Sequence, residues 1–296
     1  MPTYEQLKAQ AEQAWREVTT PSRPQVFVGS ATCGRAAGAM ATVAAIKEFL
    51  AQHNIQADIR LVGCIGLCYA EPLVDVIMPG KPRVSYQRIT ADKVPPLLEA
   101  VLLQGQHPLP LVLGTINGAH NGIASLEELP QMKAQVRVAM RNCGITEPPS
   151  VLQYIARGGY AGLHKALSSM KPQEVLDEVV KSGLRGRGGA AFLTGQKWRF
   201  LAGAPGPVKY MLCNAEEGDP GAFNDKALLE SDPHTVLEGM AIAGYATGAT
   251  KGFVFIRCVH HEVIRRTEAA IQEAYQQGLL GKNILATDFS FDIEVA

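Results

Sequence analysis

The chain has 296 residues, with 28 Lys and Arg balanced by 28 Asp and Glu, and 47% of it is hydrophobic. That length holds about two domains with real cores, and the balanced charge excludes the net positive field that draws proteins to nucleic acid or anionic membranes. The longest apolar runs, such as 95–103, fall well short of the ~20 residues of a membrane span.

The N-terminus, Met1-Pro2-Thr3-Tyr4-Glu5-Gln6, lacks the basic, apolar and small-residue order of a secretory leader. The expectation is a cytoplasmic protein in a reducing compartment, with no direct membrane span. There the six cysteines, Cys33, Cys64, Cys68, Cys143, Cys213 and Cys258, read as metal ligands, redox groups or core thiols rather than a disulfide framework.

Thr3 and Gln6 form a capping box ahead of a helical period over 4–18. A short apolar strand is predicted over 25–29, a helix over the alanine-rich 36–51, and a strand over 57–62. Two strands over 73–78 and 83–88 pair across the turn Pro79-Gly80-Lys81-Pro82, and Thr90 caps a helix through 103. This order predicts a small α/β sandwich over residues 1–104. Gly105, Pro108, Pro110, Gly114, Gly118 and Gly122 break any period, so 105–125 reads as a linker.

From 126 the pattern turns helical, breaks at Gly144 and Pro148-Pro149, and resumes behind Ser150 as cap. Helical runs over 160–168 and 172–181 end at Gly183, where a left-handed residue is wanted. Strands are predicted over 208–213, 252–258 and 289–295, with helices over 234–246 and 261–277. Residues 126–296 therefore read as a second α/β domain. Its last strand runs to Ala296 without a closing element, so the domain reads as incomplete.

The densest chemical signal is Gly183-Leu184-Arg185-Gly186-Arg187-Gly188-Gly189-Ala190-Ala191-Phe192-Leu193-Thr194-Gly195-Gln196-Lys197-Trp198. Five glycines in the thirteen residues from Gly183 to Gly195 cost backbone entropy, so they point to close approach by a ligand. Bare backbone N–H groups can line a concavity for phosphate or a flat ring, and Arg185, Arg187 and Lys197 add positive charge. A plain basic surface loop is the alternative reading. The dinucleotide fingerprint G-x-G-x-x-G needs a preceding strand, whereas these glycines follow a helix, and no Lys-Ser or Lys-Thr completes a phosphate loop.

A second signal, Cys213-Asn214-Ala215-Glu216-Glu217-Gly218-Asp219-Pro220-Gly221, sits at the end of a predicted strand, where α/β ligand sites gather. Asn214 can both donate and accept, and the carboxylates can bond sugar hydroxyls while disfavouring the extra phosphate of NADP. The alternative is an acidic turn. His234, His260 and His261 lack ligand spacing and are expected to cap helices or face solvent.

Together these two segments resemble the NADH-binding flavoprotein of respiratory complex I, the 51 kDa type. Its relatives occur in NAD(P)-linked hydrogenases and formate dehydrogenases. The similarity runs from about Arg141 to the end. It implies FMN and NADH in one cavity, hydride passing from nicotinamide to flavin, and single electrons leaving through iron–sulfur clusters of partner subunits. The resemblance assigns Gly186, Arg187, Gly188, Gly189, Ala190, Phe192, Lys197, Phe200, Asn214, Glu216, Glu217 and Asp219 to the cofactors. Gly188, Lys197, Asn214 and Glu216 lean to FMN, and Gly189, Ala190, Phe192, Phe200 and Asp219 to NAD(H). No side chain is assigned a catalytic role, because the flavin carries the chemistry.

Asp219 stands where relatives often carry glutamate, and Ala191 where many carry glycine. The family's Tyr-x-Cys-Gly-Glu-Glu stretch and its four-cysteine [4Fe–4S] motif do not occur before Ala296, so the isolated chain is expected to bind flavin weakly or not at all.

Cys64-Ile65-Gly66-Leu67-Cys68, with Cys33 upstream, resembles the thioredoxin-like [2Fe–2S] ferredoxin domain often fused to this flavoprotein, over about residues 24–100. That pattern needs C-x4-C followed by C-x3-C. Val28 and Gly38 occupy the two positions where the fourth thiolate could stand, so Cys33, Cys64 and Cys68 are three ligands of four. An unusual fourth ligand, a labile cluster and a docking domain without a cluster all remain open, as do plain buried thiols. Cys143, Cys213 and Cys258 are expected in the core. The resulting expectation is the diaphorase component of an NADH oxidoreductase of the quinone, hydrogenase or formate dehydrogenase type. A non-catalytic assembly module is the rival.

Overall fold

The computed structural model describes residues 2–219 and 221–296. Its backbone divides into two compact units, one of residues 13–148 with 230–232, the other of residues up to Glu12, Pro149–Leu229 and Pro233–Ala296. No helix among the described residues is long and apolar enough to cross a membrane.

The first unit contains, in chain order, the later turns of α1 (Tyr4–Thr19), β1 (Gln25–Gly29), α2 (Thr32–Ala36), α3 (Ala39–Gln52), β2 (Asp58–Val62), β3 (Val74–Ile77), β4 (Arg83–Tyr86), α4 (Val94–Leu98), β5 (Val112–Thr115) and α5 (Pro130–Lys133). β1 is apolar on both sides, and both sides are covered. Val26 and Val28 join a cluster with Val43 and Ile46 of α3 and Leu97 of α4, while Phe27 joins Trp15 and Val18 of α1. Such a strand belongs inside a sheet, and the order is β2-β1-β3-β4-β5, with β2 parallel to β1 and the other neighbours antiparallel. A β-helix-β crossover followed by a hairpin and a helix is the thioredoxin-like arrangement.

The structure corrects several boundaries here. The helix expected over 36–51 is two helices, because Gly38 at φ +100° turns the chain between them. Thr90 makes no side-chain cap, and the run to Leu103 is a 3-10 turn, α4 and a π turn. Pro95 and Pro96 lack the N–H groups a longer regular helix would use. The stretch read as a linker supplies β5, paired antiparallel with β4, and the helical pattern after 126 yields only a 3-10 turn and the single turn α5. Consequently the expected division at 104 and 126 gives way to one near Pro148.

The second unit holds the first turns of α1, then α6 (Val151–Ala156), α7 (Ala161–Ser169), α8 (Pro172–Ser182), α9 (Thr194–Gly203), β6 (Tyr210–Ala215), most of α10 (Asn224–Ser231), α11 (Pro233–Thr247), β7 (Lys251–Ile256), α12 (His261–Gln276) and β8 (Asp292–Val295). The Thr3–Gln6 box forms as expected, with Thr3 N donating to Gln6 Oε1 at 2.9 Å. Ser150 caps α6, and Gly183 ends α8 at φ +68°. The three strands form a parallel sheet in the order β6-β7-β8. Leu237 and Met240 of α11 and Ile271 of α12 cover one face through Val254, Ile256 and Ile293. On β6 and β7, by contrast, Tyr210, Leu212 and Phe255 stay exposed.

His234 is fully buried, which corrects its expected capping or solvent-facing role. Its Nε2 lies 2.7 Å from the Pro149 carbonyl, which can only accept, so Nδ1 receives the Tyr160 hydroxyl at 3.1 Å. Nearby, Glu238 accepts from Tyr154 Oη at 2.6 Å, Tyr160 N at 2.8 Å and Leu163 N at 3.1 Å, capping α7 from a neighbouring helix. Burial holds the imidazole neutral and its pKa down at about 4, against an ordinary 6.5. Between those values the unfolded chain binds the extra proton, so stability falls as pH drops through this window, by about 3 kcal/mol in full. Urea unfolding at pH 7 and pH 4.5 is expected to show this loss, and His234→Gln to flatten the His-linked part of the slope.

Candidate functional sites

The glycine-rich segment is a pinned hairpin. Gly186 N donates to Phe192 O at 2.8 Å and Thr194 N to Leu184 O at 2.9 Å, while Arg185 Nη1 holds the Ala191 carbonyl at 3.0 Å. Gly189 at φ +99° and Ala191 at φ +51° carry the reversal, and alanine is the costlier residue for that geometry. Among the described residues, the N–H groups of 187–192 have no protein acceptor. A Cβ added at Gly188 or Gly189 would meet no heavy atom within 4 Å, and one at Gly186 only Phe192 O at 3.7 Å. Bare amides therefore border open space.

The hairpin leads directly into α9, a helix that the sequence pattern does not announce. Gly195 lets α9 close on α8, since a Cβ there would press on Val180 at 2.6 Å. One helical turn separates Lys197 from Phe200, which is 60% exposed, and Lys197 Nζ stands 5.9 Å from the centre of the half-exposed Phe192 ring.

At the carboxyl end of β6 the chain enters the acidic turn. Asn214 Oδ1 accepts from Glu216 N at 3.3 Å, and Arg257, just beyond β7, reaches Glu216 at 3.7 Å and Gly218 O at 3.3 Å. Asp219 is exposed and accepts from Gly221 N at 2.9 Å; Pro220 lies outside the described residues. Glu217 differs from the others. Held at φ +49°, it accepts from Asp225 N and Lys226 N, each at 2.9 Å, so both its oxygens cap the unpredicted helix α10. No hydrogen bond, ion pair or ring contact among the described residues joins the hairpin to this turn.

In the first unit the three predicted cysteines converge. The sulfur atoms of Cys33, Cys64 and Cys68 all lie within 4.8 Å of one another, with Cys64 and Cys68 3.9 Å apart. Gly66, at φ +94°, folds the intervening loop so that its own N–H points at Cys64 Sγ, 3.2 Å away. Ser231 Oγ accepts from Cys64 N at 3.2 Å, and Gly63 is bare where a Cβ would strike that serine. A hydrogen bond from Cys33, aided by the Gly66 amide, holds the Cys64 thiol down at about 6, and the same bond raises Cys33.

Beside this group of three stands Glu71, which sequence reasoning did not single out. It is buried, its Oε1 lies 3.6 Å from Cys33 Sγ, and its Oε2 accepts from Leu73 N at 2.8 Å. Burial pushes its carboxyl up to about 7. The available signal was an acid three residues after Cys68. Val28 is fully buried in the sheet core, and Gly38 caps α3. Of the remaining cysteines, Cys143 is buried and Cys213 half-buried, but Cys258 is exposed beyond the end of β7, which corrects its assignment to the core.

Comparison with known proteins locates the kinship in the C-terminal part. Residues 179–296 match the family described as the Nuo51 FMN-binding domain. The chain is 55% identical over 163 residues to the NADP-reducing hydrogenase subunit HndC of Solidesulfovibrio fructosivorans, covering 55% of this chain and 33% of that protein. A subunit of the NADH-quinone oxidoreductase of Escherichia coli (strain K12) is 41% identical over 150 residues, covering 50% and 34%. The chain thus spans about a third of the length of the curated relatives it matches. Among solved structures, an NAD+-reducing [NiFe]-hydrogenase aligns over 100% of this chain and 52% of its own at 22% identity and a TM-score of 0.41. A thioredoxin-like [2Fe–2S] ferredoxin from Aquifex aeolicus aligns over 34% of this chain and 97% of its own, at 21% identity and a TM-score of 0.28.

Because Glu217 satisfies two helix-terminal N–H groups, Glu217→Ala is expected to lower the free energy of unfolding by about 1–2 kcal/mol. Urea denaturation followed by circular dichroism measures it.

Proposed function

Starting from the match of residues 179–296 to the Nuo51 FMN-binding domain, we propose that the second unit binds FMN and NAD(H) and that the chain is the electron-input component of a multi-subunit oxidoreductase. The observation that carries this reading is the hairpin of 184–194, whose tip N–H groups, those of 187–192, have no acceptor among the described residues and whose glycines leave the adjoining space empty. Aligned amides of this kind bind anions, and Arg187 and Lys197 supply the charge that a phosphate needs. Gly186, Gly188, Gly189 and Ala190 admit the nucleotides to the backbone. The exposed rings of Phe192 and Phe200 offer flat apolar faces to the dinucleotide.

Asn214 and Glu216 orient the isoalloxazine and ribityl groups in this reading, with Arg257 restraining Glu216, and Asp219 bonds a sugar hydroxyl. Glu217 acts on the site only by holding the turn on α10. Bound FMN supplies the exchange between two-electron hydride and one-electron chemistry, and the residues here bind and position. The three-cysteine cluster of the first unit fits an iron–sulfur group in donor chemistry, thiolates being its ligands, so electrons are proposed to pass through such clusters to partner subunits. The higher identity to the hydrogenase subunit than to the E. coli oxidoreductase subunit favours a hydrogenase-type acceptor over quinone. That relative's name also brings NADP into the test beside NAD. A cytoplasmic complex, peripheral to any membrane, accords with six free thiols.

Flavin fluorescence quenching on titrating FMN into the chain is expected to be saturable but weak, in keeping with the sequence-based expectation, with NADH and NADPH then compared as reductants by bleaching of the flavin band. Lys197→Ala should weaken FMN binding by about tenfold. Gly188→Ala should weaken it at least as much while leaving the unfolding midpoint unchanged, because the added Cβ meets no heavy atom of the protein within 4 Å. Absence of saturable binding of both FMN and NADH would overturn the reading.

A further inference from the structure

The iron–sulfur site proposed above has three thiolates where the four-coordinate iron atoms of a [2Fe–2S] cluster call for four protein donors. We propose that the carboxylate of Glu71 is the fourth, completing a three-cysteine, one-glutamate set with Cys33, Cys64 and Cys68. The proposal rests on the reading of the first unit as a cluster-binding domain.

Three observations meet at this side chain. The first is position: Glu71 Oε1 is 3.6 Å from Cys33 Sγ, and Cys33 belongs to the same sulfur group as Cys64 and Cys68, all within 4.8 Å. The second is its isolation. Glu71 is only 6% exposed, and no ion pair of the described residues includes it. Its one backbone donor, Leu73 N, is on Oε2, which leaves Oε1 toward the thiols. A buried carboxylate without a cation is costly unless it takes up a proton or coordinates a metal. By contrast, the buried Asp75 has Arg83 Nε at 2.8 Å.

The third is the room made for it. A Cβ at Gly29 would stand 2.9 Å from Glu71 Oε2, and one at Gly34 would stand 3.2 Å from the same oxygen and collide with the Gly29 carbonyl. Both positions are bare, and the carboxylate occupies the gap between the end of β1 and α2. Gly29 directly follows Val28, the position at which a C-x4-C pattern would place its first cysteine. Glu71 thus arrives from β3's side of the sheet at the end of β1, one residue past the position of the absent cysteine. Replacing a thiolate by a carboxylate keeps the donor set at four negative charges, so the charge balance of the cluster is unchanged, while one soft sulfur gives way to a hard oxygen.

The test uses the full chain, reconstituted anaerobically with iron and sulfide, with metal and sulfide analysis, visible absorption, and EPR after dithionite reduction. Wild type is expected to hold about two irons and two sulfides per chain. Glu71→Cys should retain that load while its charge-transfer absorption intensifies and its g values shift toward an all-thiolate cluster. Glu71→Gln, nearly isosteric but uncharged, should retain less than about half the iron after desalting. Wild-type spectra and iron content in both variants would overturn the assignment of Glu71 while leaving the cluster domain standing. Wild type that takes up no iron, or a single metal without sulfide, would overturn the cluster reading and this proposal with it.

Discussion

Two backbone hydrogen bonds, from Gly186 N to Phe192 O and from Thr194 N to Leu184 O, hold the feature on which the proposed chemistry depends. They close the neck of a hairpin whose tip N–H groups, from 187 to 192, then have no acceptor among the described residues. A chain ordinarily pairs its amides or hides none of them. Here the tip stays solvated, and the glycines prevent side chains from covering it. Ala191 accepts left-handed backbone to complete the reversal, a local cost of the kind that collects at binding loops. The flanking helices α8 and α9, packed through Gly195 against Val180, give that strained loop a rigid base.

The two candidate sites use opposite physics. At the hairpin, polar groups are exposed and unpaired and wait for an anion from solution. At the cysteine cluster, polar groups are crowded and, the exposed Cys68 apart, largely withdrawn from water, with thiols and a carboxylate sharing hydrogen bonds. The first arrangement is stable without a ligand because water serves the amides. The second stores desolvation cost, seen in the raised carboxyl of Glu71, which a bound metal would relieve.

Much of this was legible in the sequence where period and punctuation agree. The doubly apolar Gln25–Gly29, the long amphipathic α12, the Ser150 cap and the Gly183 stop appear as read. Elements without periodicity were not legible. β5 is four residues among glycines and prolines and becomes a strand only because β4 offers an edge. α10 begins in an acidic turn and owes its first turn to Glu217, eight residues upstream of Asp225. His234 looked polar and therefore superficial, yet Tyr160 and the Pro149 carbonyl satisfy both its nitrogens in the core. At the candidate sites, the cysteine spacing pointed to three sulfurs that the fold brings together, and the glycine pattern to a hairpin with unpaired tip amides. What spacing could not reveal was partnership across the fold, which alone separates Glu217, bound to a helix, from its neighbour Glu216, and draws Glu71 to Cys33.

The parallel sheet of the second unit has a consequence for how the protein behaves in bulk solution. Tyr210, Leu212 and Phe255 form a greasy panel on β6 and β7, and β6 is also an edge strand whose outward carbonyls and amides lack a neighbouring strand. Water must order around the panel and solvate the edge at once, and self-association relieves both costs. This strip of sheet therefore gives the chain one surface on which an apolar face and an open strand edge coincide, the combination most prone to pairing with a like edge.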